Sequence, residues 1–251
     1  MKREWKKEEL TFSFKGKKGG LLILHGFTGT PVTLKRLGRY IHKMDLSVSA
    51  PLLPGHGQTA EILNQATQEQ WIETADKAFM DLKKNHENVY VLGYSLGSLL
   101  ALELASRRDL QGLILISTAL KFTQTQEHRR MIAEDTRPLI PIDEIFSLDD
   151  PQRFYEYKEW PALAFKQVFS LSMKVRRLLP NIHAPVKVFH GMNDTLTPPE
   201  NIGFLSRNIA STHIEIEKLE NSHHRILAGP DQDFVIQKSG DFIEKLLNKK
   251  L

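Results

Sequence analysis

A serine lies at the centre of the pentapeptide GYSLG, residues 93–97, with a glycine two positions before it and another two positions after it. The pentapeptide follows the apolar run 89–92 (VYVL) and precedes 98–105 (SLLALELA), a strong helix former, so the sequence predicts a strand, a sharp turn and a helix. Glycine at both positions fits a turn too crowded for a Cβ atom. Such a turn holds the Ser95 hydroxyl exposed on a strained backbone, as a nucleophile requires.

The alternative is a surface turn in which Ser95 only caps the helix, because serine is a favoured N-cap residue. The strand before the motif and the helix after it favour the nucleophile. A serine hydroxyl is a poor nucleophile at neutral pH unless a histidine takes its proton and a carboxylate orients that histidine. The chain should therefore supply both partners near the carboxyl ends of later strands.

Two later segments supply a candidate acid and a candidate base. Residues 185–190 (PVKVFH) predict a short buried strand, and the turn after it carries Asp194. Residues 214–219 alternate as a strand and are followed by two adjacent histidines, His223 and His224. We predict Asp194 as the acid and one of the two histidines as the base.

Other residues compete for these roles. Asp194 is also placed to cap the helix that follows it, since Asn-Asp pairs are common in turns. Asp149 and Asp150 are rival acids, although no strand precedes them. Three further histidines lie near strand ends, where a histidine is often only a structural hydrogen-bond donor: His25, His56 and His190.

A loop near the amino terminus carries the remaining feature of acyl-transfer chemistry, which needs N–H donors aimed at the oxyanion of the tetrahedral intermediate. Residues 20–25 predict a strand, and HGFTG at 25–29 is a glycine-bearing loop at its end. One donor is expected from such a loop and the other from the residue after the nucleophile. We assign them to the backbone N–H groups of Phe27 and Leu96. An ordinary strand-to-helix turn is compatible with the same loop.

Four segments, in this order, resemble the α/β-hydrolase superfamily and, more narrowly, the small bacterial carboxylesterases and monoacylglycerol lipases. They are HGFTG at 25–29, PLLPGHG at 51–57, GYSLG at 93–97, and GMND at 191–194 with NSHH at 221–224. The resemblance covers nearly the whole chain. It implies a serine hydrolase with a helical cap over its site.

The resemblance also bears on the choice of base. In that family the pattern is Asn-Ser-x-His, which implies that His224 is the catalytic histidine and His223 its neighbour. His223 remains the alternative, because spacing does not fix side-chain direction. The chain departs from the family pattern at Ser98, where a second glycine is usual after the nucleophile turn, and at His223, where a small residue is usual.

Composition agrees with one globular enzyme domain. The 251 residues, 41% of them hydrophobic, suffice for one substantial core. The absence of cysteine excludes a thiolate nucleophile and a Cys-ligated zinc. The net charge is +4, and the basic residues are mostly scattered among acidic ones. No basic stripe is interleaved with aromatic residues, so we expect no nucleic-acid partner. We see no signal peptide or membrane span and expect a cytoplasmic protein without stable membrane insertion.

Apolar strands alternate with amphipathic segments, which predicts a mostly parallel sheet with helices on both faces. The resemblance implies that this sheet has the α/β-hydrolase fold. Strands are predicted over 11–14, 20–25, 46–50, 87–93, 112–117, 185–190 and 212–218, and helices over 31–43, 68–85, 96–107, 199–208 and 232–247. The long apolar-rich stretch after the strand over 112–117, the sixth in the family's usual order, predicts a small inserted helical cap. We therefore divide the chain into a core, 1–118 and 184–251, and a cap, 119–183.

These features together predict a serine carboxylic-ester hydrolase with a Ser-His-Asp triad. His224 takes the proton of Ser95 as the hydroxyl attacks the ester carbonyl, and Asp194 orients the imidazole. The N–H groups of Phe27 and Leu96 stabilise the oxyanion, and no metal or organic cofactor is required. The apolar cap favours small-molecule esters with short- to medium-length acyl chains, and the resemblance adds monoacylglycerols.

Other functions fit the same residues. A thioesterase, lactonase or C–C hydrolase would use them on another substrate, and a transferase would present an alcohol or amine in place of water. A ligand-binding module of low turnover could also retain the fold. An intact triad with two oxyanion donors argues against such a module, and sustained turnover separates the two classes.

Overall fold

The predicted strands come together in one seven-stranded sheet. The computed structural model describes residues 7–123, 136–142 and 157–248. Within these ranges the strands are β1 (Phe12–Phe14), β2 (Gly20–Leu24), β3 (Ser47–Ala50), β4 (Val89–Tyr94), β5 (Gly112–Ile116), β6 (Leu139–Pro141), β7 (Glu159–Pro161), β8 (Val186–Gly191) and β9 (Ile214–Leu219). The order across the large sheet is β1-β3-β2-β4-β5-β8-β9. β1 pairs antiparallel with β3 and every other neighbouring pair is parallel, which confirms the predicted mostly parallel sheet.

The central strands are apolar on both faces because helices cover both faces. On β2, Leu22 and Leu24 belong to one buried apolar cluster. Leu21 and Ile23, which alternate with them, belong to a second cluster. Since successive side chains of a strand point to opposite faces, the two clusters are the two layers between the sheet and its helices.

The helices lie on the two faces of this sheet. They are α1 (Lys7–Leu10), α2 (Lys35–His42), α3 (Ala60–Leu63), α4 (Gln68–Lys83), α5 (Leu96–Ala105), α6 (Ala162–Leu178), α7 (Glu200–Asn208) and α8 (Gln232–Leu247). α4 and α5 pack on the first cluster, and α2 and α8 pack on the second. α4 begins with a capping box in which the Thr67 hydroxyl and the Gln70 side chain each accept from the other's backbone N–H.

The long connection between β5 and β8 adds a small antiparallel pair, β6 with β7, and the helix α6. α6 packs against α4 and α5, and Phe165, Val168 and Leu171 on it join the first apolar cluster. The described part of the predicted cap thus includes a helix that packs on the layer covering the sheet. Residues 124–135 and 143–156 of that segment lie outside the described residues, and the division into cap and core stays a prediction.

Asn64, directly after α3, joins this connection to the core. Its Nδ2 donates to the carbonyl oxygen of Pro138 at 2.5 Å, and its Oδ1 accepts from the N–H of Ala164 at 3.0 Å. Ala164 lies in the first turn of α6, where backbone N–H groups have no acceptor within the helix. Asn64 therefore caps α6 from outside and links it to the segment before β6.

Candidate active site

The turn between β4 and α5 holds Ser95 at φ 53° and ψ −112°, a conformation that few residues other than glycine adopt. A Cβ on Gly93 would overlap the backbone of Gly97, and a Cβ on Gly97 would overlap the carbonyl oxygen of Leu24. Crowding therefore requires glycine at both positions. A residue held at such angles costs about 1–3 kcal/mol, which the surrounding packing must offset.

The Ser95 hydroxyl does not cap α5. Although Ser95 occupies the N-cap position, its side chain makes no capping hydrogen bond. Its Oγ instead lies 2.9 Å from Nε2 of His224. The hydroxyl is therefore paired with a group that can remove its proton, which is the arrangement that a serine nucleophile needs.

His224, in the loop after β9, joins Ser95 to Asp194, in the loop after β8. Nδ1 of His224 lies 2.8 Å from Oδ2 of Asp194, on the opposite side of the ring from Nε2. With its proton on Nδ1, the imidazole donates to the carboxylate and leaves Nε2 free to accept the serine proton. His224 and Asp194 are both buried, so water screens their interaction little.

His223, the alternative base, points elsewhere. Its side chain is exposed, and its Nδ1 lies 2.9 Å from the carbonyl oxygen of Asn193. Of the two adjacent histidines, His224 is thus the one that contacts both Ser95 and Asp194.

The carboxylate of Asp194 accepts hydrogen bonds on both oxygens. The backbone N–H groups of Leu196 and Thr197 donate to Oδ1 at 2.9 and 2.8 Å. Burial acts to raise the pKa of this carboxyl, but the charges and hydrogen bonds of His224, His190 and Thr197 together hold that pKa below its ordinary value. The group is therefore ionised at neutral pH and can orient a protonated imidazole.

The two N–H bonds to Asp194 also stabilise the turn that contains it. Asp194 therefore both forms its turn and contacts His224. It does not cap α7, because that helix begins at Glu200 and Pro199 occupies its N-cap position. The rival acids Asp149 and Asp150 lie outside the described residues.

Two hydroxyls that the sequence patterns do not single out hold the histidine loop. The carbonyl oxygen of His224 accepts from the Tyr94 hydroxyl at 3.2 Å and from Ser117 Oγ at 2.8 Å. Tyr94 directly precedes Ser95, and Ser117 directly follows β5 with a φ of 50°. Their signal in the sequence is position alone, because both lie at the carboxyl ends of central parallel strands, where sites of such sheets form.

The loop after β2 lies against the nucleophile. A Cβ on Gly26 would be 3.3 Å from Cβ of Ser95, so the Gly26–Phe27 peptide borders Ser95. Leu96 is the first residue of α5, and the first N–H groups of a helix have no acceptor within it. The two backbone groups assigned from the sequence therefore both adjoin Ser95, and their role as oxyanion donors stays a prediction.

The three further histidines near strand ends are buried and hydrogen-bonded to the backbone. His25 Nδ1 lies 2.9 Å from the carbonyl oxygen of Gly26, and its Nε2 accepts from the N–H of Leu53 at 3.0 Å. His56 and His190 each bond a backbone carbonyl oxygen through one ring nitrogen. Burial lowers the pKa of all three rings, so they are neutral at neutral pH.

His25 predicts a loss of stability in acid. Burial lowers its pKa from 6.5 to about 4, although the bond to Gly26 opposes this shift. Because the unfolded chain takes up this proton near pH 6.5 and the folded protein only near pH 4, the stability that depends on neutral His25 falls as the pH drops through this window. The loss approaches about 3 kcal/mol below pH 4.

Urea unfolding of the wild type at pH 7.5, 5.5 and 4.5 measures this slope, and His25→Gln is the comparison. We expect the variant to be less stable at pH 7.5 and its stability to depend less on pH. A variant whose free energy of unfolding falls as steeply as that of the wild type would show that His25 is not the group responsible.

Two properties of the described residues bear on the kind of site. Over residues 7–123, 136–142 and 157–248, no group of three or more histidine, aspartate or glutamate side chains is arranged to hold a metal ion. Across that same part of the chain, no helix has both the length and the apolar character needed to cross a membrane.

The chain is similar over most of its length to known hydrolases. A thermostable monoacylglycerol lipase of Bacillus sp. (strain H-257) is 29% identical over 227 residues, which cover 90% of each chain. A carboxylesterase of Bacillus subtilis (strain 168) is 24% identical over 236 residues, which cover 94% of this chain and 96% of the relative. A solved structure reported for two metagenome-derived lipolytic enzymes, LipS and LipT, matches with a TM-score of 0.84 and 24% identity over 94% of this chain and 97% of that chain.

A family model decides the assignment. The model described as serine aminopeptidase, S33, matches residues 15–231, a range that includes the elements carrying Ser95, Asp194 and His224. Since this match extends over most of the chain, the protein belongs to this family of serine hydrolases, and its likeness to the solved structure shows that it has the α/β-hydrolase fold.

Proposed function

We propose that the protein hydrolyses carboxylic esters with short- to medium-length acyl chains, monoacylglycerols among them, through an acyl-enzyme on Ser95. The observation that carries this proposal is the hydrogen-bond chain from Ser95 Oγ through the His224 ring to the Asp194 carboxylate, with both distances below 3 Å. This is the geometry in which a serine hydroxyl loses its proton to a histidine as it attacks a carbonyl carbon.

The reaction proceeds in two similar halves. Nε2 of His224 takes the proton of Ser95 as Oγ attacks the ester carbonyl, and the Asp194 carboxylate stabilises the imidazolium that forms. The imidazolium then gives its proton to the departing alcohol, which leaves the acyl group on Ser95. Water, activated by the same histidine, attacks the acyl-enzyme and releases the acid.

The oxyanion that forms in each half is stabilised by the N–H groups of Phe27 and Leu96. Removing one such donor from a serine hydrolase typically costs about 2.7–4 kcal/mol of transition-state stabilisation. The position of Gly26 against Ser95 supports this assignment, because the Gly26–Phe27 peptide borders the residue whose Oγ would attack the carbonyl.

Aromatic side chains next to the oxyanion loop support an apolar acyl group. The ring of Phe27 lies 5.3 Å from that of Trp160 and 5.8 Å from that of Phe165, and Phe122 contacts Phe165 in turn. All four are buried in one apolar cluster. An acyl chain attached to Ser95 and directed toward these rings would lie against hydrocarbon.

The names of the relatives support an ester over an amide. The two Bacillus relatives are a monoacylglycerol lipase and a carboxylesterase, whereas the family description names an aminopeptidase. A Ser-His-Asp arrangement can cleave either bond, so the substrate class has to be tested directly.

A series of p-nitrophenyl esters from acetate to laurate tests the proposal, beside monoacylglycerols, an acyl thioester and aminoacyl p-nitroanilides. Each buried methylene contributes about 0.8 kcal/mol, so we expect kcat/KM to rise roughly tenfold from acetate to butyrate and to reach its maximum before laurate. The Ser95→Ala variant provides the background rate. A maximum at acetate with no turnover of hexanoate would overturn the acyl-chain assignment, and faster cleavage of anilides than of esters would make the protein a peptidase.

A further inference from the structure

Thr197 lies in the loop after β8, three residues beyond Asp194, and is completely buried. Its hydroxyl donates to Oδ2 of Asp194 at 2.7 Å. The same oxygen accepts from Nδ1 of His224. Oδ1, by contrast, is held by two backbone N–H groups, which stay in place whatever side chain residue 197 carries. The side chain of Thr197 therefore acts on the carboxylate oxygen that faces the histidine.

The Thr197 hydroxyl also reaches the histidine itself. Oγ1 lies 3.1 Å from Nδ1 of His224. Because a hydroxyl has one proton and that proton is directed to Asp194, a lone pair of Oγ1 is left facing the Nδ1–H of the ring. The hydroxyl thus closes a triangle with the carboxylate oxygen and the imidazole nitrogen.

Thr197 is held from its backbone as well. Its carbonyl oxygen accepts from Nε2 of His190, a buried ring on β8, at 2.8 Å. Its N–H donates to Asp194. With both backbone groups bonded and the side chain enclosed, the hydroxyl has little freedom to turn away from Asp194 and His224.

We propose that Thr197 is a positioning residue whose hydroxyl keeps Oδ2 of Asp194 aligned with Nδ1 of His224, so that the ring stays directed at Ser95. The proposal rests on the proposed function, in which His224 is the base. It adds a fourth side chain to the hydrogen-bond chain, acting through Asp194 and His224 and not on the substrate. A hydrogen bond to an ionised partner is about twice as strong as one between neutral groups, which makes its loss measurable.

Thr197→Val tests the proposal, because valine keeps the shape and the backbone N–H and removes the hydroxyl. Thr197→Ser restores a hydroxyl. Thr118→Val is the matched control, since Thr118 is equally buried and its hydroxyl has no hydrogen-bond partner among the described residues. We expect Thr197→Val to lower kcat for p-nitrophenyl butyrate about ten- to a hundredfold with KM changed less than about threefold. The serine variant should recover to within about threefold, and Thr118→Val should match the wild type.

Three further measurements separate positioning from general damage. The rate of fluorophosphonate labelling of Ser95 should fall with kcat in Thr197→Val, while the melting temperature is recorded for every variant. The downfield proton resonance of the His224 Nδ1–H, identified by its loss in His224→Ala, should shift in Thr197→Val and stay in place in Thr118→Val. If the valine variant does not fold, Thr197→Ala takes its place.

Wild-type kinetics in Thr197→Val, or equal losses in the valine and serine variants, would overturn the proposal, as would an unchanged Nδ1–H resonance. A wild type that turns over no ester would instead refute the proposed function. The resonance still decides in that case whether Thr197 holds the Asp194–His224 pair.

Discussion

Ser95→Ala is expected to lower kcat for p-nitrophenyl butyrate by at least about four orders of magnitude and to abolish covalent labelling by a fluorophosphonate probe. In the proposed reaction Ser95 Oγ is the atom that bonds to the acyl group, and alanine would leave His224 with no hydroxyl to deprotonate. Steady-state kinetics, with peptide mapping of the labelled wild-type protein, measure both effects.

Ser106→Ala is the matched control for this variant. Ser106 directly follows α5, the helix that Ser95 precedes, and its hydroxyl bonds the carbonyl oxygen of Glu103. The same loss of a hydroxyl should leave kcat unchanged there. Two results would show that Ser95 is not the nucleophile. One is labelling that maps to another residue, and the other is a Ser95→Ala variant that keeps more than about a hundredth of the wild-type rate.

His224→Ala and His223→Ala are expected to differ by about four orders of magnitude in kcat/KM, although the residues are neighbours in the chain. His224 contacts both Ser95 and Asp194 and is the proposed proton acceptor, whereas His223 is exposed and bonds a loop carbonyl oxygen. Hydrolysis of p-nitrophenyl butyrate by the two variants, at equal concentrations of folded protein, makes the comparison.

Each histidine variant serves as the control for the other, because both remove one imidazole from the same loop. We expect His223→Ala to stay within about threefold of the wild type. The opposite order of activities would exchange the roles of the two histidines. Equal large losses would mean that the loop, and not one ring, is what the reaction depends on.

The sheet and the sharp turn that carries Ser95 could be predicted from the sequence because their signals are local. β4 is a continuous apolar run, and the glycines on either side of Ser95 mark a turn that excludes a Cβ. The choice between His223 and His224 needed the family resemblance, since a loop has no period that indicates which of two adjacent side chains faces inward. The structure supplies the direction of each ring.

The supporting hydroxyls could not be predicted in this way. Tyr94 and Ser117 bond the carbonyl oxygen of His224, which is more than a hundred residues away in the chain. Thr197 bonds Asp194 in its own loop and reaches the ring of His224 in another. An isolated hydroxyl carries no sequence pattern that would indicate such contacts. The packing of α6 on α5 was missed for a related reason. The apolar face of α6, with Phe165 and Val168, is compatible both with a helix of a cap and with a helix packed on the layer that covers the sheet. Only the burial of these side chains in the structure distinguishes the two arrangements.

The place of β9 at the edge of the sheet affects how the protein loses activity. The loop that follows this strand carries His224, whereas Ser95 follows β4 near the centre of the sheet and is 129 residues away in the chain. Edge strands open at lower free energy than central ones, so fraying of β9 would withdraw His224 while the turn that carries Ser95 stays folded. On warming, hydrolysis should therefore disappear before the helices melt. On refolding it should return late, because the contact between Ser95 and His224 closes a loop of 129 residues.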